Sequence, residues 1–129
     1  MTEHKLNCPF CSTSIESKII EKLGSVIAIG DKNPVTEGHI LVIPIRHTPD
    51  FFSMSPEEKR DAGELMRILR DRIEKSDSTV TGFNIGTNCG ESAGQSIMHA
   101  HIHLIPRRDG DILQPKGGVR GVIPDKMGY

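Results

Sequence analysis

The stretch Ile97-Met98-His99-Ala100-His101-Ile102-His103-Leu104-Ile105 carries three histidines at every second position. Side chains alternate across an extended strand. The spacing therefore predicts a strand over residues 96–106, with Met98, Ala100, Ile102 and Leu104 on one face and His99, His101 and His103 on the other. The first set is wholly apolar and is expected to face the core. The second set leaves three imidazoles about 6.6 Å apart, at ~3.3 Å rise per residue. Each ring has a donor and an acceptor to satisfy and a charge state unsettled near neutrality, so a row of three is poor surface covering. Two chemistries use such a row. A His-x-His pair can hold a divalent metal. Alternatively, one imidazole attacks phosphorus while its neighbours orient it and bind phosphate oxygens.

The flanking residues favour phosphate. A polar, glycine-rich loop precedes the row and contains Asn88, Gly90, Gly94, Gln95 and Ser96. Glycines let backbone N–H groups approach an anion, and the amides and hydroxyl add neutral donors. Arg107 and Arg108 follow the row and offer charge for further phosphates. A second chemical signal stands near the start. Cys8-Pro9-Phe10-Cys11 has the spacing of a two-ligand metal knuckle, and no thioredoxin-like βαβ pattern surrounds it. The third cysteine, Cys89, is left with no assigned role, and an odd count argues against a disulfide framework. His4 is expected at the surface.

The elements that must position these residues are short. Residues 25–30 and 39–45 are apolar and rich in β-branched side chains, which predicts two strands separated by a turn over 31–34. From Ser55 the pattern becomes helical. Ser55 suits an N-cap, Pro56 the first helical position, and Glu58 completes a capping box. Ala62, Leu65, Met66, Leu69 and Ile73 then form one apolar stripe at helical spacing. Residues 81–85 predict another strand, and 86–95 the polar loop. The tail over 114–129, rich in Gly and Pro, is expected to be irregular and to lie over a partner or a site, where it shapes a leaving-group pocket. Strands joined by short turns outnumber helices, so the fold class is α+β with an antiparallel sheet of about five strands and one long helix.

Composition bounds the function. The 129 residues make one domain, 1–129, with residues 1–15 as its metal-knuckle end. A net charge of -1 argues against a nucleic-acid partner. The longest apolar run, residues 40–45, is far short of a membrane span, and residues 1–7 carry no apolar stretch of the secretory type. The expectation is a cytoplasmic protein with no membrane partner. With four Phe, one Tyr and no Trp, its core must be built from Ile, Leu, Val and Met.

At this point a resemblance can be named. GQSIMHAHIHLIPRRDGD resembles the signature of the histidine-triad (HIT) superfamily, and PVTEGHILVIPIRH is similar to that family's strand-and-histidine segment. The likeness runs from about Cys8 to Asp111. It implies an α+β fold, a homodimer joining two sheets into a continuous surface, and a hydrolase or transferase acting at the α-phosphate of a small nucleotide substrate. Carried over by position, it implies that His101 attacks phosphorus to give a nucleotidyl-histidine. His103 lies on the phosphate side, His99 is first of the triad, and His39 supports the site from the adjoining strand. Asp31 would accept the ribose hydroxyls, with Asn88, Gly94, Gln95 and Ser96 on the phosphate loop. Some family members that begin with Cys-x-x-Cys bind zinc through it, completed by two histidines, which implies a structural Zn2+ on Cys8, Cys11, His47 and His99. PRRDGD resembles the branch that hydrolyses dinucleoside polyphosphates, while a phosphoramidate or adenylated amine would present the same α-phosphate. Two other functions stay open: a nucleotide-binding regulatory module with little catalysis, and a metal-dependent phosphohydrolase using His99 and His101.

Overall fold

The computed structural model describes residues 7–11 and 13–129. His4 and most of the expected 1–7 segment lie outside these residues. Five strands, β1 (Ile19–Leu23), β2 (Val26–Gly30), β3 (Ile40–Pro44), β4 (Val80–Gly86) and β5 (Ile102–Arg108), form one antiparallel sheet in the order β1-β2-β3-β5-β4. One helix, α1 (Pro56–Ser76), connects β3 to β4 and packs on one face. The α+β class and the expected helix stand. Ser55 accepts the Glu58 N–H while the Glu58 carboxylate accepts the Ser55 N–H, closing the capping box.

The apolar stripe of α1 buries Ala62, Leu65 and Leu69, with Met66 and Ile73 beside them, against Val26, Ala28, Ile40, Val42, Ile102 and Leu104. The alternate residues Ile27, Ile29, Leu41 and Ile43 form a second cluster on the opposite face, covered by Phe10 and Ile15. Both faces of β2 and β3 are therefore buried, which is why their sequences are continuous apolar runs.

The count of about five strands stands, although β1 carries no plain strand signal: Ile20 points to solvent while the half-buried Glu21 pairs with Arg72 of α1. One local expectation fails. The histidine strand begins at Ile102, not at residue 96. Residues 97–99 bend, the Ala100 N–H is taken by the Thr48 carbonyl at 2.7 Å, and Met98 is 45% exposed instead of facing the core. The ladder cannot extend through backbone already committed elsewhere. The tail is irregular as expected, made of two 3₁₀ segments, Gly118–Val122 and Pro124–Lys126. Among the described residues no helix is long and apolar enough to cross a membrane.

Candidate active site and metal centre

The bend before β5 sends the three histidines to different tasks. His103 is in β5 opposite Leu41 of β3, and His39 immediately precedes β3. These residues share the face away from α1, so His39 and His103 meet, Nε2 to Nδ1, at 2.9 Å. The Val35 N–H donates to His39 Nδ1 at 3.0 Å. A backbone amide can only donate, so His39 must carry its proton on Nε2 and give it to His103 Nδ1. His103 is then left with an Nε2–H.

His101 has the opposite tautomer. Its Nδ1–H donates to the His99 carbonyl at 2.8 Å, which leaves Nε2 with its lone pair. The His101 and His103 rings are 5.5 Å apart, edge to face. Both line a cleft of about 460 Å³ together with Asp31, Asn88, Gly94 and Ser96, and with apolar walls from Phe10, Ile15, Ile29 and Leu41. One ring thus offers a nucleophilic nitrogen and its neighbour an N–H donor. Burial lowers the pKa of both His39 and His103 below the ordinary 6.5, with Asp31 opposing in each case and the neighbouring imidazoles adding to the fall at His103. These two rings are held neutral at pH 7.

Asp31 Oδ1 accepts the Asn33 N–H at 2.8 Å, and Oδ2 is 3.4 Å from His39 Nε2 and 3.8 Å from His103 Nδ1. Asp31, His39 and His103 could in principle hold an ion. The tautomers oppose it, since a metal on His39 Nε2 would displace a proton that Nδ1, already accepting from Val35, cannot take up. This cluster is a hydrogen-bond relay.

His99 turns away from the cleft and is fully buried. The expected row of three on one face is therefore broken. The carbonyl of His99 still reaches His101. Its Nε2–H donates to the Pro44 carbonyl at 2.8 Å, so Nδ1 carries the lone pair, 3.4 Å from Cys8 Sγ and 3.5 Å from Cys11 Sγ. His47 Nδ1 is 3.2 Å from Cys11 Sγ, and the four donor atoms lie within 4.8 Å of one another. A tetrahedral ion with bonds of about 2.0–2.3 Å needs donors roughly 3.5 Å apart. Burial pushes the Cys8 thiol up, a cost that a bound cation would reverse by favouring thiolate. Cys8, Cys11, His47 and His99 thus fit a metal in both spacing and tautomer.

Other expected residues do different work. Gln95 is buried and its amide is fully used: Oε1 accepts the Gly90 N–H, and Nε2 donates to the Pro49 and Ile97 carbonyls. It fastens the loop and does not line the cleft. Gly90 and Gly94 take positive φ within that loop, a conformation that disfavours any side chain. Arg107 is held by Asp111 and Asn84, and Arg108 by Asp77, Thr79 and the Glu37 carbonyl. Both line a separate, larger groove of about 730 Å³ with Pro115 and Gly118 of the tail. The expectation that these arginines and the tail serve the histidine site is corrected. The larger groove contains no histidine, and its two arginines are neutralised by Asp111 and Asp77. Sequence reading missed Phe10, whose ring lies 5.2 Å from that of His101; its place between two cysteines was the available signal.

The class of protein that this fold and site define is the HIT domain. That family's profile matches residues 12–110, and the chain belongs to the family. Among relatives, it is 33% identical over 105 residues to the asymmetrical bis(5'-nucleosyl)-tetraphosphatase of Schizosaccharomyces pombe, covering 81% of this chain and 57% of that protein. It is 34% identical over 94 residues to adenylylsulfatase HINT3 of Arabidopsis thaliana, covering 73% and 47%. The chain thus spans about half the length of these two curated relatives. Its fold matches that of a Zn-bound histidine triad family protein from Mycobacterium smegmatis with a TM-score of 0.75 and 32% identity, covering 84% of this chain and 81% of that one.

Proposed function

We propose that the protein is a nucleotide hydrolase or transferase that cleaves at the α-phosphate through a covalent nucleotidyl-histidine on His101. The observation that carries the reading is the opposed pair of tautomers lining one cleft. His101 Nε2 attacks phosphorus and a P–N bond forms as the bond to the leaving group breaks. The positive charge that develops on the ring is met by the His99 carbonyl at Nδ1. His103 Nε2–H and the Ser96 hydroxyl donate to the phosphoryl oxygens, where negative charge grows. Asn88 and Gly94 complete the phosphate loop, with Gln95 positioning it from behind. Water then displaces the nucleotide from His101, so one difficult displacement becomes two easier ones. Asp31 takes the ribose hydroxyls, and the apolar wall of Phe10, Ile15, Ile29 and Leu41 takes the base.

Zinc is the metal that the Cys₂His₂ set favours, and a closed four-ligand site contributes folding energy in place of an open position for substrate. A catalytic ion shared by His99 and His101 is disfavoured, because both ring nitrogens of His99 are turned to the buried side. Support for a dinucleoside polyphosphate substrate now rests on the Schizosaccharomyces pombe relative, not on the arginine pair. A homodimer would join copies at β4, a sheet edge with Ile85 exposed; sedimentation analysis tests it.

The deciding experiment is a turnover panel of diadenosine tetraphosphate against an adenosine phosphoramidate, with the natural protein and His101→Ala. Both substrates should release adenosine monophosphate (AMP), the polyphosphate faster, and His101→Ala should turn over neither while still binding AMP. Near-normal rates in the variant would reject the mechanism.

A further inference from the structure

The metal-binding residues and the cleft share a wall. Phe10 stands between Cys8 and Cys11, in a turn closed by the Cys11 N–H on the Cys8 carbonyl at 3.1 Å. Its ring is edge-on to two histidines at once, 5.7 Å and 90° from His99 and 5.2 Å and 66° from His101. Pro9 and Phe10 both line the cleft. The same side chain therefore touches a candidate metal ligand, the attacking imidazole and the space for the nucleotide.

We infer that Phe10 is a positioning residue that couples metal loading at Cys8, Cys11, His47 and His99 to nucleotide affinity in the cleft. The inference rests on the cleft being the nucleotide site. The four donors come from three segments far apart in sequence, and an ion bound to all four would tie the Cys8–Cys11 turn to His47 and His99. Fixing the turn fixes Phe10, whose ring packs edge-on against that of His101. A nucleotide that buries against an already ordered wall avoids the cost of ordering it. Linkage makes the effect reciprocal: bound nucleotide must tighten the metal by the same factor.

The test is calorimetric titration of AMP into the full chain, zinc-loaded and chelator-stripped, for the natural protein, Phe10→Ala and Phe10→Tyr. Removing zinc should weaken AMP about tenfold in the natural protein and in Phe10→Tyr, but less than about threefold in Phe10→Ala, within the usual range of couplings. A residue supplying only apolar wall would weaken loaded and stripped forms alike and leave the ratio near tenfold. That result overturns the inference, as does a natural protein whose AMP affinity ignores zinc. The reciprocal measurement avoids stripping: zinc affinity, read by chelator competition, should rise about tenfold with saturating AMP in the natural protein and less than about threefold in Phe10→Ala. No rise in the natural protein also overturns it. If loaded protein binds no AMP at all, the nucleotide reading itself fails, and the coupling with it.

Discussion

The two faces of the sheet use the same strands and solve different problems. Toward α1, Val26, Ala28, Ile40, Val42, Ile102 and Leu104 meet a helix whose stripe recurs with a single period. On the other face, Ile27, Ile29, Leu41 and Ile43 continue the apolar pattern, but histidines stand beside them and the cover is a short segment carrying cysteines and Phe10. The first face is filled chiefly by apolar packing. The second adds directed bonds, several of which also set which ring nitrogen carries a proton.

The sharpest way to break this contrast is a pair of substitutions. His101→Ala should lower kcat by 10³-fold or more, on the order seen when a covalent nucleophile is removed, while moving the melting temperature by less than about 2 °C, since that ring is partly exposed. Leu65→Ala should do the reverse. It removes a fully buried side chain and should cost about 3 kcal/mol of unfolding free energy in a denaturant titration, with kcat unchanged below the transition. A kcat loss in Leu65→Ala that matches its stability loss would erase the distinction.

The candidate metal centre lies on the histidine face but should behave as structure. His47→Ala is expected to lower zinc per chain in metal analysis and to lower the melting temperature by several degrees, as loss of a structural ion implies. Its catalytic effect should fall on KM more than on kcat, because His47 does not line the cleft.

The smallest effect is the acid limb. His39 and His103 have folded pKa values below the ordinary 6.5. Between that value and the lower folded ones the unfolded chain binds more protons, so stability rises with pH there and is fully present above about 6.5. Denaturant midpoints should fall as pH drops from 7 to 5, and His103→Gln should flatten the slope. An unchanged slope in that variant would remove the relay as its cause.

Legibility followed the same division. The helix face could be read because one rule covers it: Ser55, Pro56 and Glu58 mark the start of α1, and the stripe from Ala62 to Ile73 repeats on a fixed period. The chemical face was readable in its membership and not in its geometry. Cys8, Cys11, His47 and His99 do converge, and so do His39, His101 and His103. Alternation, however, could not reveal that His99 leaves the row, since its bend is set by partners 55 and 91 positions away, Pro44 and Cys8. Nor could composition show that Arg108 is neutralised by Asp77 at the far end of α1, or that Arg107 folds back onto Asp111 four residues on. β1 is hard to read because its residue types do not follow its burial: at the sheet edge Ile20 faces solvent and Glu21 is held by Arg72.

The strand order carries a further consequence. β5 is the last strand to be synthesised, yet it occupies the slot between β3 and β4. A nascent chain on the ribosome therefore holds a split sheet, with two unsatisfied backbone edges, until residue 108 has emerged. His103 arrives in that closing strand with His101 just ahead of it, so the segment that completes the architecture also brings the two imidazoles that line the cleft.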